Sequence, residues 1–411
     1  MLAPTMQTHW KRDIALFFTS QTLSLLGSSL VQYAMMWSIT LQTKSGGMMA
    51  VYIICGFVPA FVLSPFAGVW ADRWDRRKII MLADGMIALV TLALGLVFLA
   101  GFKAVWLLFL ASAFRAVGSA FQMPAVGAIL PQIVPEDKLM RMSGINGTIQ
   151  SLIMLVSPIL SGALLSFTSI ERIFLIDVLT AALAIGVLFF LRIPPHEKAS
   201  RKQEQGYFTD MGLGLRYIRE HRYLLRFFGY IGLFLFLVAP AAFLTPLQVT
   251  RTFGAEVWRL TAVEIFFSSG MMLGGLLLAS WGGFRNRMKT MVASNLIMAV
   301  CTISLALMPN FWLYLTTMGI FGIAMPMYNS PSAVMLQEHV EPDFLGRVFS
   351  VLSMLSTSLM PLGMLVFGPL ADLVRIEWIL LATGAAMLVR GLMVLGERKL
   401  MEVGVPVHQQ S

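Results

Sequence analysis

Charge is scarce in this sequence. Only 12% of its 411 residues are Asp, Glu, Lys or Arg, histidine occurs five times and cysteine twice. Each shortage closes off a class of function. The histidines stand at 9, 196, 221, 339 and 408, all in stretches that read as loops or tails, so a buried His–carboxylate or metal centre is not expected. Cys55 and Cys301 fall inside apolar runs and read as small packing residues rather than a disulfide framework. The phosphate-cradling pattern G-x-x-x-x-G-K-[ST] is missing, which removes ATP hydrolysis by this chain. The expectation is a protein that is not an enzyme and holds neither metal nor cofactor.

What the chain has in excess is apolar surface. It is 57% hydrophobic, with a mean hydropathy of +0.78, against about 45–50% apolar for a soluble domain. Twelve apolar runs fit a bilayer core about 30 Å thick at ~1.5 Å per helical residue. They cover 14–40, 49–70, 79–101, 104–130, 143–167, 171–191, 224–250, 259–281, 290–309, 311–335, 347–371 and 377–396. None alternates in the manner of a membrane barrel strand, so helices are the reading. The first run is too long for a cleavable signal peptide, and no small-residue cleavage site follows it. The predicted fold class is an all-α polytopic membrane protein of twelve transmembrane helices.

The net charge of +9 points to nucleic acid only until it is mapped. With the N-terminus in the cytoplasm, 22 Lys and Arg fall in loops on that side. Six lie opposite: Lys44, Lys103, Arg172, Arg251, Arg259 and Arg375. That asymmetry predicts both termini inside a cell membrane, and no nucleic-acid partner is expected.

Between the sixth and seventh runs the polar stretch "RIPPHEKASRKQEQGYFTDMGLGLRYIREHRYLL" divides the chain into a six-helix bundle over 1–191, a cytoplasmic linker over 192–223, and a second six-helix bundle over 224–411. Phe208, Met211, Leu215 and Ile218 recur at helical spacing in the linker and predict an amphipathic helix on the cytoplasmic face. The halves repeat. Pro124 and Pro135 lie eleven apart, as do Pro331 and Pro342, and the two pairs are offset by 207 residues. Parallel six-helix repeats around a central site are one way transporters are built. "LASWGGFRNRMK" (278–289) partly echoes "GVWADRWDRRK" (68–78), keeping Arg285, Arg287 and Lys289 but offering no acid opposite Asp72.

"GVWADRWDRRK" packs six charged residues into eleven positions. It resembles the loop 2–3 signature of the major facilitator superfamily. The stretches "DRWDRRKIIMLADG", "FRAVGSAFQMPAVGAILPQIVPEDKL", "SPILSGALL", "IDVLTAALA", "TAVEIFFSSGMMLGGLLLASWG" and "LGRVFSVLSMLSTSLMPLGMLVFGPLAD" resemble its macrolide-efflux branch of drug exporters, and they span both halves. The resemblance implies the major facilitator fold and proton-driven export of a small amphiphilic substrate. Export of a native metabolite, siderophore or lipid fits the same motifs, and a transport-dead sensor is a third reading. The chain is expected to be bacterial and to act as a monomer. It departs from the family in span five, which reads Ser157-Pro158-Ile159-Leu160-Ser161-Gly162 where Gly-Pro and then Gly-Gly are usual, and in span one, which has no acid, only Gln21 and Gln32.

Charges inside spans cost roughly 2.5–3.5 kcal/mol at a helix centre on insertion scales, so each needs a reason. Arg115 matches the superfamily's span-four arginine and shares a face with Gly118 and Gln122. It reads as a group for proton handling or anion contact, or as half of an ion pair that fixes packing. Glu264, with Ser268 and Met271 on its face, reads as the proton-responsive acid of the second half, or as an ionised rim carboxylate. Gly270 and Gly274 form a separate packing face. Asp177 reads as a titrating acid or as a satisfier of helix-end donors near the outer surface. Asp84 is assigned to the cytoplasmic gate cluster with Gly68, Asp72, Arg73, Arg76, Arg77, Lys78 and Arg347. There the arginines and Lys78 hold the loop inside, while Asp72 is expected to latch against the start of span eleven. Gln32, Tyr33, Gln122, Tyr230, Tyr328 and Asn329 are candidates to line a substrate cavity.

Overall fold

The computed structural model describes residues 10–191 and 207–405, without the side chains of 69, 71–73, 207–210 and 398–399. Among these residues there are fifteen helices and no strand. In order they are α1 (Trp10–Thr43), α2 (Gly46–Arg73), α3 (Arg76–Leu99), α4 (Val105–Ile133), α5 (Glu136–Phe167), α6 (Ile170–Phe189), α7 (Tyr207–Glu220), α8 (Arg222–Phe243), α9 (Thr245–Thr252), α10 (Val257–Trp281), α11 (Arg287–Leu307), α12 (Phe311–His339), α13 (Pro342–Leu373), α14 (Ile376–Gly396) and α15 (Arg398–Val403). With α8 and α9 counted together, twelve are long and apolar enough to cross a membrane, and they fall on the twelve apolar runs.

Helix ends depart from the runs for local reasons. The fifth helix begins at Glu136, about two turns before its run, because Glu136 and Asp137 suit the positive end of a helix dipole. Likewise α12 continues to His339, so this histidine ends a helix instead of lying in a loop; its Nδ1 is 3.0 Å from the Met335 carbonyl oxygen. The seventh run breaks at Leu244, where α8 stops and α9 restarts with Pro246 in its first turn. A proline ring denies its own N–H to the ladder and crowds the carbonyl four residues back, so a helix restarts more readily than it continues.

The proline repeat has a structural counterpart, one position out of register. Pro124 and Pro331 both lie inside helices, α4 and α12. Pro135 is the N-cap of α5, whereas Pro342 is already the first residue of α13, behind the cap Glu341. The helices before them end alike. The N–H of Val134 reaches the Leu130 carbonyl at 3.2 Å, and that of Val340 reaches Leu336 at 3.0 Å.

Two compact units emerge, Met1–Gln42 with Val51–Lys202, and Thr43–Ala50 with Gln203–Ser411. In the first, α3 packs on α4 and α6, and Phe17, Ile80, Ile129 and Leu188 share a core at one end. In the second, α12 packs on α10 and α11, α11 on α14, and α13 on α8. The α10–α12 seam is a backbone contact. A Cβ on Gly270 or Gly274 would strike the carbonyls of Gly319 or Ile323, and one on Gly322 would strike that of Phe267. The linker helix α7 buries Gly214, Tyr217 and Ile218 and leaves Leu215 half exposed. Its inner stripe therefore runs a little to one side of the expected one, and Phe208 lies outside the described side chains. Gly214 rests on the Arg347 backbone of α13, and Tyr217 stacks on Phe344 with ring centroids 4.5 Å apart.

The second unit holds one end of α2 through an acid. Asp372 sits in the last turn of α13, where its own helix dipole disfavours it. Its oxygens instead cap the start of α2. They accept from the N–H groups of Gly46 and Gly47, both at 2.8 Å, and from Ser45 Oγ at 2.6 Å. Arg251 at the end of α9 completes the cluster, donating to Asp372 Oδ1 at 2.9 Å and to the carbonyls of Ala371, at 2.6 Å, and Lys44. Gly46 has to be small, since a Cβ there would meet the Gly368 carbonyl. Loss of a cap costs about 0.5–2 kcal/mol. Asp372→Ala is therefore expected to raise amide exchange in Gly46–Ala50 about two- to thirty-fold, read by hydrogen–deuterium exchange. Unchanged exchange there would show that the carboxylate does not hold the turn.

Candidate functional site

The polar groups inside the first unit gather on one face of α1. Ser20, Ser24 and Ser28 recur every four residues, which places them in line along a helix. Ser20 Oγ donates to the Ala184 carbonyl of α6 at 2.9 Å. Ser24 meets a buried acid, Asp84, through its hydroxyl, and Ser28 meets a buried arginine, Arg115, through its backbone carbonyl.

Arg115 of α4 and Asp177 of α6 form an ion pair at 2.6 Å. Thr91 of α3 donates to the same Asp177 Oδ2 at 3.0 Å and accepts from Arg115 Nη1, whose other nitrogen reaches the Ser28 carbonyl of α1 at 3.3 Å. Four helices thus meet at one guanidinium. Asp177 is 1% exposed and spends its carboxylate on Arg115 and Thr91, which corrects the expectation that it satisfies helix-end donors near the surface. Gly27 permits the close approach, because a Cβ there would lie 2.9 Å from Asp177 Oδ1.

Asp84 occupies a second tier, 2% exposed. Its Oδ1 accepts from Ser24 Oγ at 2.7 Å and from Gln122 Nε2 at 2.6 Å. These partners are interior, so the sequence grouping of Asp84 with the basic loop does not match its contacts. Gln122, a cavity candidate, is likewise drawn into the bundle core. Gly118 between the tiers packs tightly on Ile87.

The basic loop itself anchors helices. Asp75 caps α3 by accepting from Arg77 N at 3.0 Å. Arg76 donates to the Ala128 carbonyl of α4 at 2.8 Å, and Arg77 to the Leu191 carbonyl beyond α6 at 2.6 Å. Cations near the ends of helices satisfy carbonyls the helix leaves over. Lys78 is exposed and Gly68 has nothing near its Cβ position. The side chains of Asp72 and Arg73 lie outside those described. The echo in the second unit keeps the cap: Asn286 accepts from Lys289 N at 3.2 Å. In α5, Ser161 Oγ donates to the Leu30 carbonyl of α1 at 3.1 Å, with Ser157, Pro158 and Gly162 buried beside it.

The second unit joins its helices through neutral polar groups: Gln248 of α9 donates to the Leu305 carbonyl of α11 at 2.8 Å and accepts from the Tyr314 hydroxyl of α12 at 2.9 Å. Glu264 of α10 has neither an ion pair nor a hydrogen bond among the described residues. Its neighbour Ser268 is buried. Tyr230 and Tyr328 are buried against each other, their ring centroids 6.0 Å apart, and Tyr328 stacks on Phe234 at 3.9 Å. Gln32 and Asn329 are exposed, and Tyr33 is half-buried against Trp37. Arg347 covers the Phe344 ring at 5.4 Å. Sequence reasoning missed Arg390 of α14, which pairs with Glu397 at 2.6 Å and lies 5.9 Å from the Tyr230 ring centroid. Its signal was plain, a lone arginine inside an apolar run. Thr91 and the α1 serines were missed too, because hydroxyls blend into any apolar span. No cluster of three metal-ligating side chains occurs among the described residues.

Twelve spanning helices in two repeats, with buried charge confined to a few interior points, define a multi-pass membrane transporter. The chain belongs to the Major Facilitator Superfamily, whose family model matches residues 17–358. Within it the chain falls in the macrolide-efflux branch. It is 30% identical to Macrolide efflux protein A of Streptococcus pyogenes over 377 residues, 91% of this chain and 93% of that one. It is 31% identical to Macrolide efflux protein A of Enterococcus faecalis over 313 residues, 76% of this chain and 97% of that one. In fold it is similar to a crystallised mutant of the nucleoside transporter NupG, with a TM-score of 0.73 at 14% identity, covering 93% of this chain and all of that one. The protein is an efflux transporter of this superfamily that handles small substrates.

Breaking a buried ion pair from one side costs about 3–5 kcal/mol, because the remaining charge is uncompensated. Arg115→Met and Asp177→Asn are each expected to lower the thermal midpoint in detergent. Arg115→Met combined with Asp177→Leu should recover much of the loss. A double variant as unstable as the sum of the singles would mean that the two groups do not act as a pair.

Proposed function

We propose that the chain exports amphiphilic drugs such as macrolides from a bacterial cell in exchange for protons, by alternating access, as a monomer with both termini in the cytoplasm. Similarity to Macrolide efflux protein A supports the substrate class. The observation that carries proton coupling is Glu264, an acid within an apolar span that has no partner among the described residues. Nothing near it neutralises its charge, so taking up a proton is the available way to lose that charge inside a membrane. Arg115 and Asp177 hold each other in a closed pair, whereas Glu264 has no such partner among the described residues. The excess of Lys and Arg in one set of loops supports the orientation.

The energy source can be separated from other drives. One proton falling through ~100 mV supplies roughly 2.3 kcal/mol, enough for about a fifty-fold gradient of a neutral substrate at ~1.36 kcal/mol per decade. A monovalent cationic macrolide exchanged for one proton moves no net charge, so only the pH gradient drives it. Nigericin is expected to abolish its efflux, and valinomycin with potassium to leave most of it. Efflux that follows ATP after the proton gradient has collapsed would overturn the reading.

Glu264→Gln keeps the shape of the side chain and removes the titrating group. It is expected to retain macrolide binding while losing pH-driven accumulation in vesicles. An unchanged pH dependence of transport would take the role from Glu264.

A further inference from the structure

The tier formed by Asp84, Ser24 and Gln122 has no part in the reading above, and its hydrogen bonding is incomplete. All of Asp84's donors converge on one oxygen, Oδ1. Oδ2 is buried and has no partner. Both donors are neutral, and each is fixed by the other, since Gln122 Nε2 also reaches Ser24 Oγ at 3.3 Å.

The charged groups on the four surrounding helices are committed elsewhere. On α4 and α6, Arg115 and Asp177 neutralise each other, with Thr91 and Ser28 filling their remaining positions. Glu171 at the far end of α6 pairs with Lys103, and Arg172 lies in the same first turn. On α3, Arg76 and Arg77 donate to carbonyls two turns below Asp84, and Lys78 is exposed. Lys11, Arg12 and Asp13 open α1 about three turns from Ser24. No ion pair to Asp84 exists among the described residues.

A metal ion fits this arrangement poorly. Hard cations want several oxygen ligands, whereas Gln122 presents its amide nitrogen and both hydrogen-bonding protons point at Oδ1. A proton fits it well. Adding one to Oδ2 removes an uncompensated buried charge and leaves both hydrogen bonds on Oδ1 undisturbed.

We infer that Asp84 is a proton-binding site of the first unit, taking the proton on Oδ2 while Ser24 and Gln122 hold Oδ1. The two tiers are linked by regular spacing. Asp84 and Thr91 are seven apart on α3, Gln122 and Arg115 seven apart on α4, and Ser24 and Ser28 four apart on α1. Seven residues are two turns, about 10.5 Å. Protonation at Asp84 therefore changes the charge next to the Arg115–Asp177 pair without touching it. This inference rests on the proton-coupled reading for its place in transport, but not for the binding of the proton itself.

The test uses the full-length purified protein in lipid nanodiscs, with infrared difference spectra taken across pH steps. Wild type is expected to show the carbonyl stretch of a protonated carboxyl that disappears as pH rises. Asp84→Asn, which keeps an oxygen to accept from Ser24 and Gln122, should lose that component and release one proton fewer per molecule over the same steps. Glu264→Gln should keep it. Gln122→Leu, which strips one donor from Oδ1, should move the midpoint of the Asp84 component. A band and proton count unchanged in Asp84→Asn overturn the inference, as does a midpoint untouched by Gln122→Leu. Asp84→Asn that fails to fold leaves Gln122→Leu to decide. Transport indifferent to the proton gradient, with the Asp84 band intact, would instead overturn the transport reading alone.

Discussion

A hydrocarbon interior offers no water to hydrogen-bond, so every polar group in this chain must find its partner within the protein. That single demand explains why the described residues form helices and no strand. It also explains where charge is spent. Asp372 caps the start of α2 and Asp75 the start of α3. Arg77 reaches a carbonyl left over past α6. Groups that look like a solvated charge run in the sequence turn out to close helix ends, where four donors or four acceptors are otherwise stranded.

The two units meet the demand differently although their sequences repeat. In the first, α1, α3, α4 and α6 are joined by side-chain polar contacts in stacked tiers around Arg115 and Asp84. In the second, α10 and α12 are joined by glycines that let backbones touch. Packing of this kind gains from dispersion alone and carries no charge to satisfy. The repeat kept the helices and their caps, as Asp75 and Asn286 illustrate, and let the chemistry between them diverge.

The spans were legible because membrane thickness fixes run length, and composition reports it directly. The small-residue face of α10 was legible from Gly270 and Gly274 for the same reason, since helical spacing decides which residues share a face. What could not be read was partnership across helices. Asp84 lies close in sequence to the basic loop, yet a helix carries it two turns away into the company of Ser24 and Gln122, sixty and thirty-eight residues distant. Asp177 was placed near a surface because its depth had to be guessed from where the run begins. Pro246 was absorbed into one long run, although the chain turns more polar at the break, with Thr245, Gln248, Thr250 and Arg251 following the apolar end of α8. The side chain of Asp72, on which the expected latch turns, lies outside the described residues.

The glycine seam also decides what Glu264 is able to do. Its helix is pressed against α12 at three successive points, through Gly270, Gly274 and Gly322, and interlocked backbones neither slide nor rotate a little at a time. The carboxyl is mounted on a stiff two-helix staff. It has no freedom to travel toward a proton, so the proposed exchange would need solution to reach it where it stands. In the proposed exchange, timing would then be set by whatever admits solution to the staff, and the acid would only be the reader.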